Sequence, residues 1–283
     1  ITVRTNFDPL AVIWTNQPPI PTTPIEVHSL EYAGESTMSK LSRIRIALRS
    51  LHADGMLVSA LDDIAWTLNL RGSDVHCNPV FVSYLLIDTK TTTLFINDEK
   101  LTPDVKAYLT AQGVQTAPYN HIKDALRNYD EYNILLDPNA ISYTLFKQVR
   151  TQEVVRASSP IPAMKAIKNE IEVEGFRRAM IRDGVALVKF LRWLQTAVTK
   201  GQETEISVAE KLMALRAEQP LFRGISFDTI AGYEAHGAIV HYEATPETDA
   251  PLKPHGFLLL DSGAQYQDGT TDITRTIALG ELT

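Results

Sequence analysis

This sequence predicts an α/β domain followed by a second domain in which two helices precede the strands, and three observations carry that expectation. From about residue 34 to 158, helix-like and strand-like stretches alternate, as they do where a sheet is covered by helices. Across 159–283, two helical stretches come first and the strands follow, so the two kinds of element are segregated. Ahead of both, 1–33 reads as a connector: the segment from Phe7 to Pro24 holds five prolines, a composition that favours a stiff, extended chain.

The elements follow in order. Leu41, Ile44, Leu48 and Leu51 recur at helical spacing within 39–53, and Gly55 stops that helix before the strand 56–59. A short helix is expected over 62–69, with Trp66 among its core residues because an aromatic removes much apolar area from water. The stretches 81–87 and 92–96 read as paired strands, 133–137 as another strand, and 142–149 as a helix. Arg71 and Asp74 read as a local ion pair or a domain contact. In the second region, Phe176, Met180, Val188, Leu191 and Leu194 mark the apolar stripe of a long helix that closes before Gly201. A second helix spans about 205–218, and strands begin near 227–230.

Composition narrows the function classes. Hydrophobic residues make up 44% and charged residues 22%, enough apolar material for sizeable cores. No apolar run reaches the roughly 18 residues of a membrane span, so a membrane partner is not expected. The formal charge of −7 gives no basic footprint for nucleic acid. The richest basic stretch, 165–192, is interleaved with Glu170, Glu172, Glu174 and Asp183 and reads as a solvated helix face. The single cysteine, Cys77, excludes an internal disulfide and is compatible with a reducing, cytoplasmic setting. His76 and Cys77 are adjacent, but without a spaced third donor they do not read as a metal site.

The chemistry concentrates between residues 227 and 276. Asp261 ends an apolar strand-like run, Asp272 lies eleven residues later, and His241 stands twenty residues before Asp261. A carboxylate at the end of a buried strand needs a partner. The intervening residues, with Asp268 and Gly269 near their middle, suggest a hairpin in which Asp261 opposes Asp272. Two carboxylates converging from neighbouring strands would repel unless a hard divalent cation lay between them. Taken alone, each Asp would pass for a turn or strand-end residue. Thr274 and Thr276 share a strand face with Asp272 and would line the same side with hydroxyls. His236 and His255 read as solvated or structural.

The segments 235–248 and 258–276 together resemble the long, three-domain form of aminopeptidase P, the Xaa-Pro aminopeptidases of the pita-bread metallopeptidase family that includes prolidase and creatinase. The words at 61–66 and 69–74 resemble the family's middle domain. The resemblance implies a creatinase N-terminal-like, non-catalytic α/β domain at 34–158 and the N-terminal half of an α+β pita-bread catalytic domain at 159–283. It also implies that Asp261 and Asp272 are ligands of a dinuclear centre taking two divalent ions, usually manganese, with zinc or cobalt as alternatives. His241 corresponds to the family's substrate-contacting catalytic histidine. The expected reaction is release of the N-terminal residue from peptides with proline in second position, by an enzyme that is a homodimer when full length. Prolidase-like cleavage of Xaa-Pro dipeptides and peptide binding without hydrolysis are the alternative readings. The family's remaining metal ligands, a histidine and two glutamates, follow Asp272 in the pattern and are not among these 283 residues. The expectation is therefore a fragment of the enzyme, inactive by itself.

Overall fold

The strands of the first sheet divide their side chains between two helical layers, as period-two alternation requires. The computed structural model describes residues 7, 10–150 and 153–281; positions 1–6 and 8–9 of the expected connector lie outside the described residues. In chain order, α1 (Leu10–Ile13), β1 (Glu26–Val27) and α2 (Leu30–Ala33) precede α3 (Thr37–Ser50) and β2 (Gly55–Val58). Then come α4 (Leu61–Leu68), β3 (Leu70–Arg71), β4 (Tyr84–Ile87), β5 (Thr92–Ile96), α5 (Pro103–Ala111) and β6 (Gln115–Pro118). The domain closes with α6 (Ile122–Arg127), β7 (Asn133–Leu136), α7 (Tyr143–Phe146) and β8 (Glu153–Arg156).

The six-stranded sheet runs β6-β5-β4-β2-β7-β8, parallel at its outer pairs and antiparallel where β4 meets β2 and β5. Met56, Val58, Leu85, Ile87, Leu94 and Ile96 pack with Ile44, Leu48, Ile64 and Val105 on one face. Leu57, Leu86, Phe95, Ile134 and Leu136 meet Ile122, Leu126 and Leu145 on the other. Trp66 is buried in the first cluster, as expected, with the Lys40 ammonium 4.3 Å from its ring centre.

Three expectations for this region need correction. The last part of the supposed connector is packed: Ile25 is buried, β1 pairs with β3, and the α2 end is tied by Ala33 O to Asn169 Nδ2 at 2.8 Å. Apolar Ile25 and the β1 backbone find partners there, which outweighs the stiffness of the prolines before them. Asp74 pairs with the buried ammonium of Lys100, not with Arg71, whose guanidinium donates to the Ala65 and Leu70 carbonyls. The helix expected over 142–149 is a single turn, capped by Ser142.

The second region holds α8 (Ile161–Ala166), α9 (Glu170–Ala197) and α10 (Glu205–Ala217), then β9 (Phe222–Ile225), β10 (Ile230–Tyr233), β11 (Phe257–Ser262), β12 (Ala264–Tyr266), β13 (Gly269–Thr270) and β14 (Ile273–Ala278). Asn169 and Glu172 form a reciprocal capping box that separates α8 from α9. The buried face of α9 is Gly175, Ala179, Asp183, Ala186, Leu187, Phe190 and Leu194. Met180 and Val188, expected in the stripe, are exposed. Small residues face inward because α9 lies close against the β12–β13 hairpin: a Cβ on Gly175 would come within 2.2 Å of the Asp268 carbonyl oxygen.

Asp183, expected on a solvated face, is fully buried in a bidentate pair with Arg216 of α10, at 2.7 and 2.9 Å. Tyr266 of β12 donates a third hydrogen bond to it. Burial of that phenol and the adjacent Asp183 charge hold the Tyr266 hydroxyl protonated well beyond its ordinary range. Two helices and the hairpin are thus joined through one carboxylate. No helix among the described residues is long and apolar enough to cross a membrane.

Candidate active site

Asp261 comes from β11 of the antiparallel sheet β10-β11-β14, and Asp272 from the residue just before β14. Their expected register is wrong by one step. Asp261 is opposite Thr274, and the same register continues through Gln265 opposite Thr270 to a two-residue turn at Gln267 and Asp268. The turn sits there because Asp268 is buried and ion-paired with Arg182 of α9, while Gly269 lies against Phe176 and Ala179. The shift moves the partner by two residues, so Asp272 becomes a diagonal neighbour of Asp261 on the pairing pattern. Diagonal pairs stand roughly 7–8 Å apart at the backbone, within reach of a shared ligand. Asp272 lies just before β14, between Ile273, paired with Ser262, and Thr271, whose N–H bonds the Ala264 carbonyl at 2.9 Å.

The surroundings of the two carboxylates differ. Asp272 is exposed. Asp261 Oδ1 is shielded from solvent and accepts no hydrogen bond from the protein. A buried carboxylate oxygen without a donor is costly, and a hard cation satisfies it better than any neighbouring side chain does here. The donor set therefore fits a divalent metal.

His241 sits on an exposed turn after the 3-10 segment Glu234–Ala238 and adopts a left-handed backbone, φ 56°. It makes no hydrogen bond or ion pair among the described residues, so the structure does not itself join it to either aspartate. What holds its loop is Glu205, the first residue of α10, which sequence reasoning missed. Its fully buried carboxylate accepts from Tyr233 N–H at 2.7 Å, Tyr242 O–H at 2.8 Å and Ala250 N–H at 3.1 Å, and lies 2.9 Å from His236 Nδ1. His236 stacks on Tyr242 with ring centres 4.5 Å apart, which makes it structural, as one of its two expected readings had it. Tyr242 adjoins His241 in the chain, so Glu205 fixes the turn that presents the histidine. A glutamate directly after the helix-capping Thr204 gave no sign of this, because that position usually belongs to a solvated first turn.

A cleft of about 970 Å³ runs between the two regions, walled by residues such as His28, Arg71, His76, Arg223 and Gln265. None of His241, Asp261 and Asp272 lines it.

The profile described as "Creatinase/Prolidase N-terminal domain" matches residues 16–172, and that of "Metallopeptidase family M24" matches 174–283. The chain belongs to the creatinase/prolidase family. It is 42% identical over 259 residues to Xaa-Pro aminopeptidase 1 of Dictyostelium discoideum, covering 89% of this chain and 41% of that protein. It is 32% identical over 327 residues to aminopeptidase P1 of Arabidopsis thaliana, covering 99% and 51%. Among solved structures, an X-prolyl aminopeptidase from Caenorhabditis elegans, a cytosolic enzyme with a di-nuclear active site, superposes with a TM-score of 0.92 at 32% identity, over 97% of this chain and 46% of that one. A Xaa-Pro dipeptidase from Bacillus anthracis shares the fold, with a TM-score of 0.69 at 20% identity over 88% and 66%. The chain thus spans about half or less of the curated relatives described here. The fold is a creatinase N-terminal domain followed by an M24 pita-bread domain.

Proposed function

We propose that this chain carries the middle domain and the first part of the catalytic centre of a metal-dependent Xaa-Pro aminopeptidase. The observation that carries the reading is the unpartnered, buried Oδ1 of Asp261, set beside Asp272 within the segment that matches the M24 family. The 42% and 32% identities to proteins named for X-prolyl chemistry support the substrate class, peptides with proline in second position.

In this reading Asp261 and Asp272 would be ligands of two divalent cations, manganese by preference. When bound, such a pair acidifies a water molecule and polarises the scissile carbonyl. Asp261, on a strand paired on both sides, would supply a ligand fixed to the sheet, and exposed Asp272 would supply a second. His241 donates a hydrogen bond to the peptide and to the oxyanion that develops on it, held in place by the Tyr242–Glu205 contact. The full-length protein acts in the cytoplasm and as a homodimer.

The test uses full-length protein with manganese and two substrates, a tripeptide Xaa-Pro-Yaa and the dipeptide Xaa-Pro. Cleavage of the tripeptide before proline supports the proposal. Cleavage of the dipeptide alone replaces it with prolidase activity, and metal-loaded folded protein with no cleavage replaces it with a binding module.

A further inference from the structure

We propose that His76, Cys77 and Asp228 form an additional, sulfur-containing metal site, separate from the aspartate centre, which takes a thiophilic divalent cation of the zinc class and clasps the two domains. In the sequence His76 and Cys77 lack a third donor. The fold supplies one from 151 residues further on: a nitrogen, a sulfur and an oxygen from the three side chains all lie within 4.8 Å of one another. His76 Nε2 and Asp228 Oδ1 are already 2.8 Å apart.

Zinc bonds of about 2.0–2.3 Å put neighbouring tetrahedral donors roughly 3.3–3.8 Å apart, so the His76–Asp228 pair must open from 2.8 Å by about 0.5 Å, and any donor pair near the 4.8 Å limit must close by about 1 Å. His76 and Asp228 have exposed side chains that can rotate to do this. Cys77 is the fixed member. Its loop starts at Asp74, whose carboxylate is buried against Lys100 Nζ at 2.5 and 2.6 Å and also accepts from Val82 N–H at 2.6 Å. The loop turns through Asn78 N–H to Val75 O at 3.1 Å. The Cys77 carbonyl accepts from Gln265 Nε2 at 3.0 Å, and Thr270 Oγ1 holds that amide at 2.6 Å. A donor pinned from both domains is preorganised for a ligand.

Three donors leave one tetrahedral position for water. A thiolate selects zinc-like cations over manganese or magnesium, which prefer oxygen, so this site and the Asp261–Asp272 pair differ in metal class. Burial and the Asp228 charge push the Cys77 thiol up, so the metal-free residue is a neutral thiol at pH 7. Binding forms the sulfur–metal bond and releases the thiol proton to solvent, with no change in oxidation state. Asp228 lies two residues before β10, whose Ile230 pairs with Asp261. Occupancy would therefore tie the middle-domain loop to the strand beside the catalytic aspartates.

Cobalt(II) is the probe, because only a thiolate ligand gives it an intense near-ultraviolet charge-transfer band. Full-length protein titrated with cobalt at neutral pH is expected to develop that band to one equivalent, and zinc to abolish it. Cys77→Ser should remove the band, and His76→Gln or Asp228→Asn should weaken binding about tenfold or more. The band should survive in the Asp261→Asn, Asp272→Asn double variant, so failure of the aspartate centre and failure of this site are read separately. Cobalt uptake without the band, a band that persists in Cys77→Ser, or binding unaffected by both His76→Gln and Asp228→Asn overturns the proposal. Circular dichroism of each variant checks that loss of the band is not loss of fold.

Discussion

At the scale of the residue, Asp261 faces two ways in energy. Without a cation its buried Oδ1 is an uncompensated acceptor, so Asp261→Asn removes no protein hydrogen bond at that atom and relieves a buried charge. The metal-free variant is expected to melt no lower than the parent. With manganese at about 100 times its dissociation constant, the parent gains about 2.7 kcal/mol and the variant loses most of that gain. Thermal melts with and without manganese check both halves, and a variant stabilised by manganese as strongly as the parent rules out the ligand role. His241 permits a sharper distinction. Its left-handed backbone favours Gly, Asn and Asp over most residues, so His241→Asn keeps the turn while removing the imidazole. In full-length enzyme this variant is expected to lower kcat roughly 10²–10³-fold with metal content unchanged, the size of a lost oxyanion donor. Unaltered kcat would leave His241 as a turn residue only.

Between elements, buried carboxylates are the joints. Asp183 links α9, α10 and β12, and removing its charge strands Arg216 in a site with no solvent access. Asp183→Asn is expected to cost about 3–5 kcal/mol, whereas Asp183→Leu with Arg216→Met should cost far less, because the burial penalty disappears with both partners. Urea denaturation measures each. This is also where sequence legibility ends. Of the first domain, the helices over 37–50 and 61–68 and the strands at 55–58, 84–87, 92–96 and 133–136 are legible from apolar runs and spacing, whereas the elements at 103–127 and 153–156 are not. Nor are Asp183 and Glu205, since a charged residue in a helix reads as solvated until the partner across the fold is known. The hairpin register failed for a related reason. Asp268 and Gly269 announced a turn, but its centre is set by Arg182 and Gly175 on a helix some ninety residues earlier. Asp261, Asp272 and His241 are proposed because their order and spacing match a family pattern; nothing in local periodicity singles them out.

For the whole molecule, the junction between domains carries a pH-dependent contribution that follows from His28. Its ring is buried between β1 and α2, with Nδ1 lacking a partner, and its pKa is lowered to about 3 by burial first and then by the Arg71, Lys40 and Arg223 charges. The folded protein keeps this imidazole neutral while the unfolded chain protonates near pH 6.5. The unfolded state therefore binds the extra proton between those values, and stability falls as pH drops from 6.5 toward 3, by about 1.4 kcal/mol per pH unit at most. Well above pH 6.5, where the unfolded imidazole is also neutral, the group contributes no slope. His28→Phe retains an aromatic against Tyr32 and the backbone bond from residue 28 N–H to Asn69 O, but has nothing to protonate. Its unfolding free energy, followed by urea from pH 7 to 4.5, should decline less steeply than the parent's. Identical slopes would mean that His28 is protonated in the folded state, and that the cations around it are neutralised by Glu172 and Glu26 more fully than the burial of the ring implies.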